Sequence, residues 1–139
     1  MAITHLSDAF VRLNTVDLSD HVKSVEVTYE AEALDDTVMG DDTRSNLAGL
    51  KNWSMSITFL QDYAASSVDA TLFSLVGAAA FAIRVRPDKS TVAGATNQNI
   101  NGNCILTSYP PLSGAVGDLH ETTITLASAG TLSQTSTGT

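Results

Sequence analysis

The sequence predicts a mostly β domain of antiparallel strands, each with one wet face, crossed by a single short helix. Three observations carry that expectation. Apolar and polar residues alternate with a period of two in several separate segments. One segment alone has its apolar residues at the spacing of a helix. The glycines fall in loops and at element ends, where they punctuate elements instead of lining a ligand.

In chain order, Phe10 to Leu13 and Val16 to Leu18 flank Asn14-Thr15 and read as a short hairpin-like pair. Ser24 to Glu30 alternates strictly, with Val25, Val27 and Tyr29 on one face and Ser24, Glu26, Thr28 and Glu30 on the other. Trp53 to Phe59 repeats the pattern, setting four apolar residues against Ser54, Ser56 and Thr58. Phe81 to Arg86 and Asn103 to Tyr109 supply two more strands. In Glu121 to Leu126, Thr122, Ile124 and Leu126 oppose Glu121, Thr123 and Thr125. The helix is expected after Ser66-Ser67, an N-cap followed by Asp69 in the first turn, where the helix dipole favours an acid. Val68, Leu72, Leu75 and Val76 form its apolar stripe and Gly77 its C-terminal cap. Ala31 to Gly49 and Pro87 to Gly102 read as long loops, and loops of that length are usually functional or disordered. One domain is expected over residues 1–130, followed by a flexible Ser/Thr/Gly-rich tail over 131–139 that has nothing to bury.

Composition narrows the function classes. Of 139 residues only 16% are charged, against roughly 25% for a typical soluble domain. A small domain with so few charges is expected to have part of its surface covered by other subunits, because interface centres are depleted in Lys, Glu and Asp. The net charge is −8, and the seven basic residues (Arg12, Lys23, Arg44, Lys51, Arg84, Arg86 and Lys89) form no run or stripe. Tight nucleic-acid binding is therefore not expected. The single cysteine, Cys104, permits no internal disulfide and reads as a buried small hydrophobe. No signal pattern or membrane-length apolar run is present in the sequence, so synthesis and folding in a cytoplasm are expected.

No set of residues reads as a catalytic, cofactor or metal site. The acidic stretch Asp35 to Asp42 places apolar residues where a calcium loop needs oxygen ligands. His5, His21 and His120 show no metal-binding spacing, and His21 beside Asp20 reads as a surface turn. No serine sits in a nucleophile elbow. The notable feature is instead the polar strand faces: Ser24, Glu26, Thr28, Glu30, Ser54, Ser56, Thr58, Glu121, Thr123 and Thr125. They make a smooth surface of hydroxyls and a few acids without positive charge. Lys and Arg would hold phosphates, whereas scattered carboxylates repel them. Such a face is either an ordinary solvent face, though one of those usually carries some Lys or Arg, or a surface that a polyanion must slide past.

Several stretches stand out together: Val16 to Val22 leading into Ser24 to Val27, Val38 to Arg44 followed by Ala48 to Ser54, Leu60 to Tyr63, Leu72-Phe73, Val85 to Pro87, Gly114 to Asp118 and Thr122 to Leu126 with Gly130. These stretches resemble the tail tube proteins of long-tailed, siphovirus-type phages. Their order and spacing cover about residues 10 to 130. The resemblance implies a β-sandwich or open barrel with one helix, related to the tube proteins of contractile injection systems. It also implies hexameric rings stacked into a hollow tube, with no enzymatic activity and no cofactor. The ten polar-face residues would line the lumen, with Glu26, Glu30 and Glu121 supplying a thin negative charge. Val38, Met39, Gly40, Asp41, Asp42 and Arg44 would contact the adjacent ring. Implied partners are further copies of the chain, a tape-measure protein, tail initiator (distal tail) and terminator proteins, and DNA passing without specific binding; no membrane is involved. The implied place is a virion tail assembled in a host bacterial cytoplasm. The inner tube of a gene-transfer particle, tailocin or secretion-type injection system is the alternative, and a β-sandwich adhesion module a distant one.

Overall fold

The computed structural model describes residues 9–65, 67–89 and 93–136. The elements run β1 (Phe10–Leu13), β2 (Val16–Asp17), a 3-10 turn (Ser19–His21), β3 (Val22–Asp35), β4 (Asn46–Leu60), α1 (Val68–Leu75), β5 (Phe81–Arg86), β6 (Asn99–Ser108), β7 (Glu121–Ser128) and β8 (Ser133–Thr135). The strands join one sheet in the order β2-β1-β5-β6-β7-β4-β3, with β8 added beside β6, and every pairing between them is antiparallel.

The sheet folds over itself. Val25 and Val27 of β3 share an apolar cleft with Val85 of β5 and Ile100 of β6, so strands far apart in the sheet order face each other. Between the two halves lie Val11, Leu13, Met55, Ile57, Phe59, Ile83, Val85, Cys104, Leu106, Ile124 and Leu126, all buried. The architecture is the sandwich or open barrel with one helix that the sequence and its resemblance lead one to expect. The hairpin at Asn14-Thr15 is present too, with both residues at positive φ (46° and 71°) as a two-residue turn requires.

Helix α1 buries Val68, Leu72 and Leu75 against this core. Burial contributes about 2 kcal/mol for each such side chain. Tyr109 ties the helix to the end of β6 by donating to Asp69 Oδ1 at 2.6 Å. Burial first, then the Asp69 hydrogen bond, pushes the Tyr109 phenol up to about 12. The expected apolar stripe ends one residue early. Val76 is the C-cap, in extended backbone, bridged to Leu106 and about half exposed. Ser67 stands at the N-cap without a side-chain capping bond, and Ser66 lies outside the described residues.

Three further expectations need correction. Ala31 to Gly49 is mostly not a loop: β3 and β4 continue through it as a paired hairpin arm, Ala33↔Ala48 to Asp35↔Asn46, leaving only residues 36–45 as the tip. Alternation is weak there because the arm has water on both faces, so no apolar side marks it. For the same reason Tyr29 is 51% exposed although it shares the core side with Val25 and Val27, for it sits where the arm leaves the body. The Pro87 to Gly102 stretch gives up Asn99 onward to β6. After Gly130 the chain does find a partner: Leu132 packs on the core and β8 pairs with Asn99 to Asn101 of β6. Residues 137–139 of the expected tail lie outside the described residues.

Trp53 locks the fold where β4, β6 and the end of β7 meet. It is 3% exposed and donates Nε1–H to the Gly130 carbonyl at 2.8 Å. Its ring lies so close to β6 that a Cβ on Gly102 would come within 2.6 Å of Cζ2. Cys104, on the same strand, is fully buried, and burial pushes its thiol up to about 12, leaving it protonated and unreactive.

A second lock closes the β1–β2 corner. Ser19 Oγ accepts from Val11 N–H at 2.9 Å, and Ser19 N–H donates to Asp17 Oδ1 at 2.9 Å. Burial alone would raise the Asp17 carboxyl, but the Ser19 hydrogen bonds and the charges of Lys89 and Arg12 outweigh it and hold the group below 3.8.

Two outcomes are expected. Gly102→Ala should cost about 1–3 kcal/mol, as overpacking against a buried ring does; an unchanged denaturation midpoint would show that Trp53 yields. Because the folded pKa of Asp17 is lowered, its stabilisation is full above 3.8 and is lost as pH falls below that value. Asp17→Asn should therefore flatten the loss of stability between about pH 4 and about pH 2 in denaturant melts at stepped pH; an acid limb as steep as the wild type's would remove Asp17 from the corner lock.

Candidate functional surfaces

The ten polar-face residues come together on one outer face of β3, β4 and β7. Register sets them in cross-strand rows: Ser24–Thr58–Thr123, Glu26–Ser56–Thr125 and Thr28–Ser54–Ala127. Glu30 faces Asn52, and Glu121 faces Leu60. Strands stand about 4.8 Å apart, so the rows form a close sheet of short side chains, with Thr58 and Thr123 hydroxyls 3.0 Å apart. The face is half-buried to exposed throughout. It arises because residues behind it on β4 (Trp53, Met55, Ile57, Phe59) are all buried, and alternation sends their neighbours outward.

Two features of this face escape the sequence reading. It is not free of positive charge: Lys23 pairs with Glu121 at its edge. A register shift between Val22 and Ser24 takes Lys23 out of the alternation that would hide it from this face. The negative charge of the face therefore rests on Glu26 and Glu30. Ile105, in register with Ala127, adds a partly exposed apolar side chain.

Val38, Met39, Gly40, Asp41, Asp42 and Arg44 gather at the tip of the β3–β4 arm. The tip is internally braced. Asp41 Oδ2 accepts from Val38 N–H at 3.0 Å, Thr37 Oγ1 accepts from Ser45 N–H at 2.7 Å, and Arg44 reaches Asp35 at 3.1 Å. Hydrogen bonds from Thr37, then Arg44, hold the Asp35 carboxyl below its usual value. Gly40 makes the turn at φ 96°. Outside this brace Met39 is wholly exposed, and Leu34, Val38, Leu47 and Leu50 are exposed along the arm. The opposite end of the molecule is also apolar, with Phe73, Val76, Leu112, Val116 and Leu119 exposed around α1 and the β6–β7 loop. β4 links the two ends with 15 residues, about 50 Å of strand. Exposed apolar clusters of this kind mark interaction surfaces.

One constellation was not legible in the sequence. His21 Nε2 lies 3.0 Å from Asp62 Oδ2 and 3.3 Å from Ser67 Oγ. The residue types match a hydrolytic triad, but the geometry does not. Both partners meet the same ring nitrogen, whereas a triad needs the acid on one nitrogen and the serine on the other. The cluster serves as a clip: hydrogen bonds from Ala64 N–H, then Ser67, then His21 hold the Asp62 carboxyl below its usual value and join the β4–α1 turn to the β2–β3 turn. Among the described residues no three His, Cys, Asp or Glu side chains are placed to hold a metal ion, and His5 lies outside them.

Comparisons with known proteins bear on the fold. No family model and no curated protein matches the sequence. Solved structures do match. A chain from the virion of a native gene transfer agent particle superposes with a TM-score of 0.77 at 19% identity, over 96% of this chain and 99% of that one. A chain from the tail of an empty gene transfer agent particle, of C6 symmetry, gives 0.75 at 19% identity over the same shares. A chain of the sheath–tube complex of an extracellular contractile injection system in its extended state gives 0.67 at 14% identity, over 96% and 92%. With nearly the whole of both chains superposed, this protein has the tail-tube fold, shared with chains of gene transfer agent tails and contractile injection systems.

Proposed function

We propose that the chain is a structural subunit of a tail tube, forming stacked rings around a channel, and that it carries out no catalysis. The observation that carries this reading is the polar face of β3, β4 and β7: a register-aligned surface of Ser, Thr and Glu on a fold otherwise found in assembled tails. Turned inward, this face lines the lumen, and its short hydroxyls and the uncompensated Glu26 and Glu30 let DNA pass without holding it. Sixfold rings accord with the C6 symmetry of the gene transfer agent tail. Strand edges of neighbouring copies close the ring, since an exposed edge is a template for another chain. The arm tip, from Val38 to Arg44, meets the next ring. Ring closure and stacking are both head-to-tail contacts, and the stacking contact, which never closes, extends the tube.

In this role the chain's partners are its own copies, a tape-measure protein held in the lumen before DNA, and initiator and terminator proteins at the two ends. It resides in the tail of a virion assembled in a host cytoplasm. An inner tube of a gene transfer or injection particle is the second reading, favoured by the neighbours from those assemblies. An adhesion module fits less well: Trp53 and Phe59 are buried, and no aromatic cluster occupies the polar face.

Electron microscopy of the purified protein at rising concentration should show rings or hollow filaments of uniform width; monomers that also fail to extend tubes seeded by an initiator complex would sink the proposal. Glu26→Lys with Glu30→Lys should leave tube formation intact yet reduce DNA delivery by at least about tenfold, because lysines retain phosphates. Unchanged delivery would mean that neither side chain faces the channel.

A further inference from the structure

The connection between β6 and β7, residues 109–120, carries Leu112, Val116 and Leu119 in the open. Its two ends are firmly held. The Pro110 carbonyl accepts from Thr122 Oγ1 at 2.8 Å, and the Pro111 carbonyl accepts from Tyr63 Oη at 2.6 Å and Gln61 Nε2 at 3.0 Å. At the other end the His120 carbonyl accepts from Gln61 N–H at 2.9 Å. The stretch between is held by far less. Among the described residues, 112–119 make two hydrogen bonds. One, from Asp118 N–H to the Ala115 carbonyl at 3.0 Å, closes a turn inside the loop itself. The other runs from Ser113 N–H to His120 Nε2 at 2.9 Å. This second bond ties the apolar loop back to its base.

The partners of His120 also fix which proton its ring carries. A backbone N–H can only donate, so Nε2 must present a lone pair to Ser113. Tyr63 gives its one hydroxyl proton to Pro111, which leaves the Tyr63 oxygen to accept, over a long 3.4 Å, from Nδ1–H of His120. The Tyr63 ring packs beside the imidazole with centroids 5.7 Å apart. The imidazole is therefore neutral, with its hydrogen on Nδ1. A second proton has one place to go, Nε2, where it would point at Ser113 N–H and break that bond. His120 is partly exposed, so water can deliver the proton. The titratable groups around the ring are Tyr63 on the β4–α1 turn, Asp118 on the loop, and Glu121 on β7 with its partner Lys23 on β3. Asp118 and Glu121 line the cleft beside Ser113, so a protonated ring that leaves Ser113 finds carboxylates near it.

We propose that His120 is a pH-operated latch: neutral, it holds the apolar β6–β7 loop to its base through Ser113 N–H, and protonated, it lets the loop go. Histidine changes charge between about pH 5 and about pH 8, so the loop is fixed at the upper end of that range and freed as pH falls. The latch sets whether Leu112, Val116 and Leu119 meet a partner in one arrangement or in many. It acts within a single copy and does not depend on what that partner is.

Nitrogen chemical shifts and amide exchange of the isotope-labelled full chain test it. At about pH 8 the His120 ring should show the Nδ1–H tautomer. His21, whose Nε2 must carry hydrogen to meet the Asp62 carboxylate, supplies the opposite signal in the same spectrum. Between about pH 8 and about pH 5, protection of the Ser113 amide against exchange with water should fall at least about fivefold. The Gln61 amide, which donates to the His120 carbonyl, should stay protected. His120→Gln places an oxygen near the position of Nε2 and does not titrate, so its Ser113 amide should show one protection at both pH values. An Nε2–H tautomer at the higher pH, or equal Ser113 protection at both pH values in the wild type, would overturn the latch. A fall of the same size in the glutamine variant would place the switch on another group and overturn it as well.

Discussion

The alternation of side chains along β4 is the constraint on which the rest depends. A strand sends successive residues to opposite sides, so burying Trp53, Met55, Ile57 and Phe59 forces Ser54, Ser56 and Thr58 outward together. β3 and β7 are paired to β4 in a register that repeats this division, so the core and the polar face are two sides of one decision. A one-residue slip would exchange them and place hydroxyls in the core. Trp53 guards against that slip by anchoring to Gly130 and lying against Gly102, a position where any side chain would collide with its ring.

Charge is distributed with the same economy. Lys23, Arg44 and Lys89 are each matched to carboxylates of this chain, and Arg86 is drawn into the core. Arg12 stands in register with Asp17 and helps to hold its carboxylate ionised. Exposed pairs contribute little to the stability of one copy, at most about 1 kcal/mol each. The exposed apolar residues at the two ends of the molecule add nothing to a lone copy either, since Met39, Leu50, Leu112 and Val116 stand in water.

The His21–Asp62–Ser67 cluster shows why residue types alone do not assign chemistry. The three side chains are drawn together by the packing of two turns, and the shared use of one ring nitrogen makes the arrangement a structural clip. Distances and the identity of the contacting atoms decide the matter, and neither is written in the sequence.

The body of the fold was legible wherever one side of an element is dry and the other wet. Val25 to Thr28, Trp53 to Phe59 and Thr122 to Leu126 announce both their strand character and the face they bury, and Val68, Leu72 and Leu75 announce the helix. Legibility fails where that contrast vanishes. The arm from Ala31 to Asp35 and from Asn46 to Lys51 is wet on both sides, so backbone pairing alone makes it a hairpin. β8 exists because the edge of β6 offers it hydrogen bonds, a long-range fact that no local pattern at Ser133 to Thr135 records. The same holds for the surfaces. Composition and alternation by themselves determined a hydroxyl-rich face with a few acids, because period two depends only on neighbours in the chain. Only the tertiary structure decided that Lys23 reaches Glu121 and that Arg12 stands opposite Arg84, because each depends on register between strands distant in sequence.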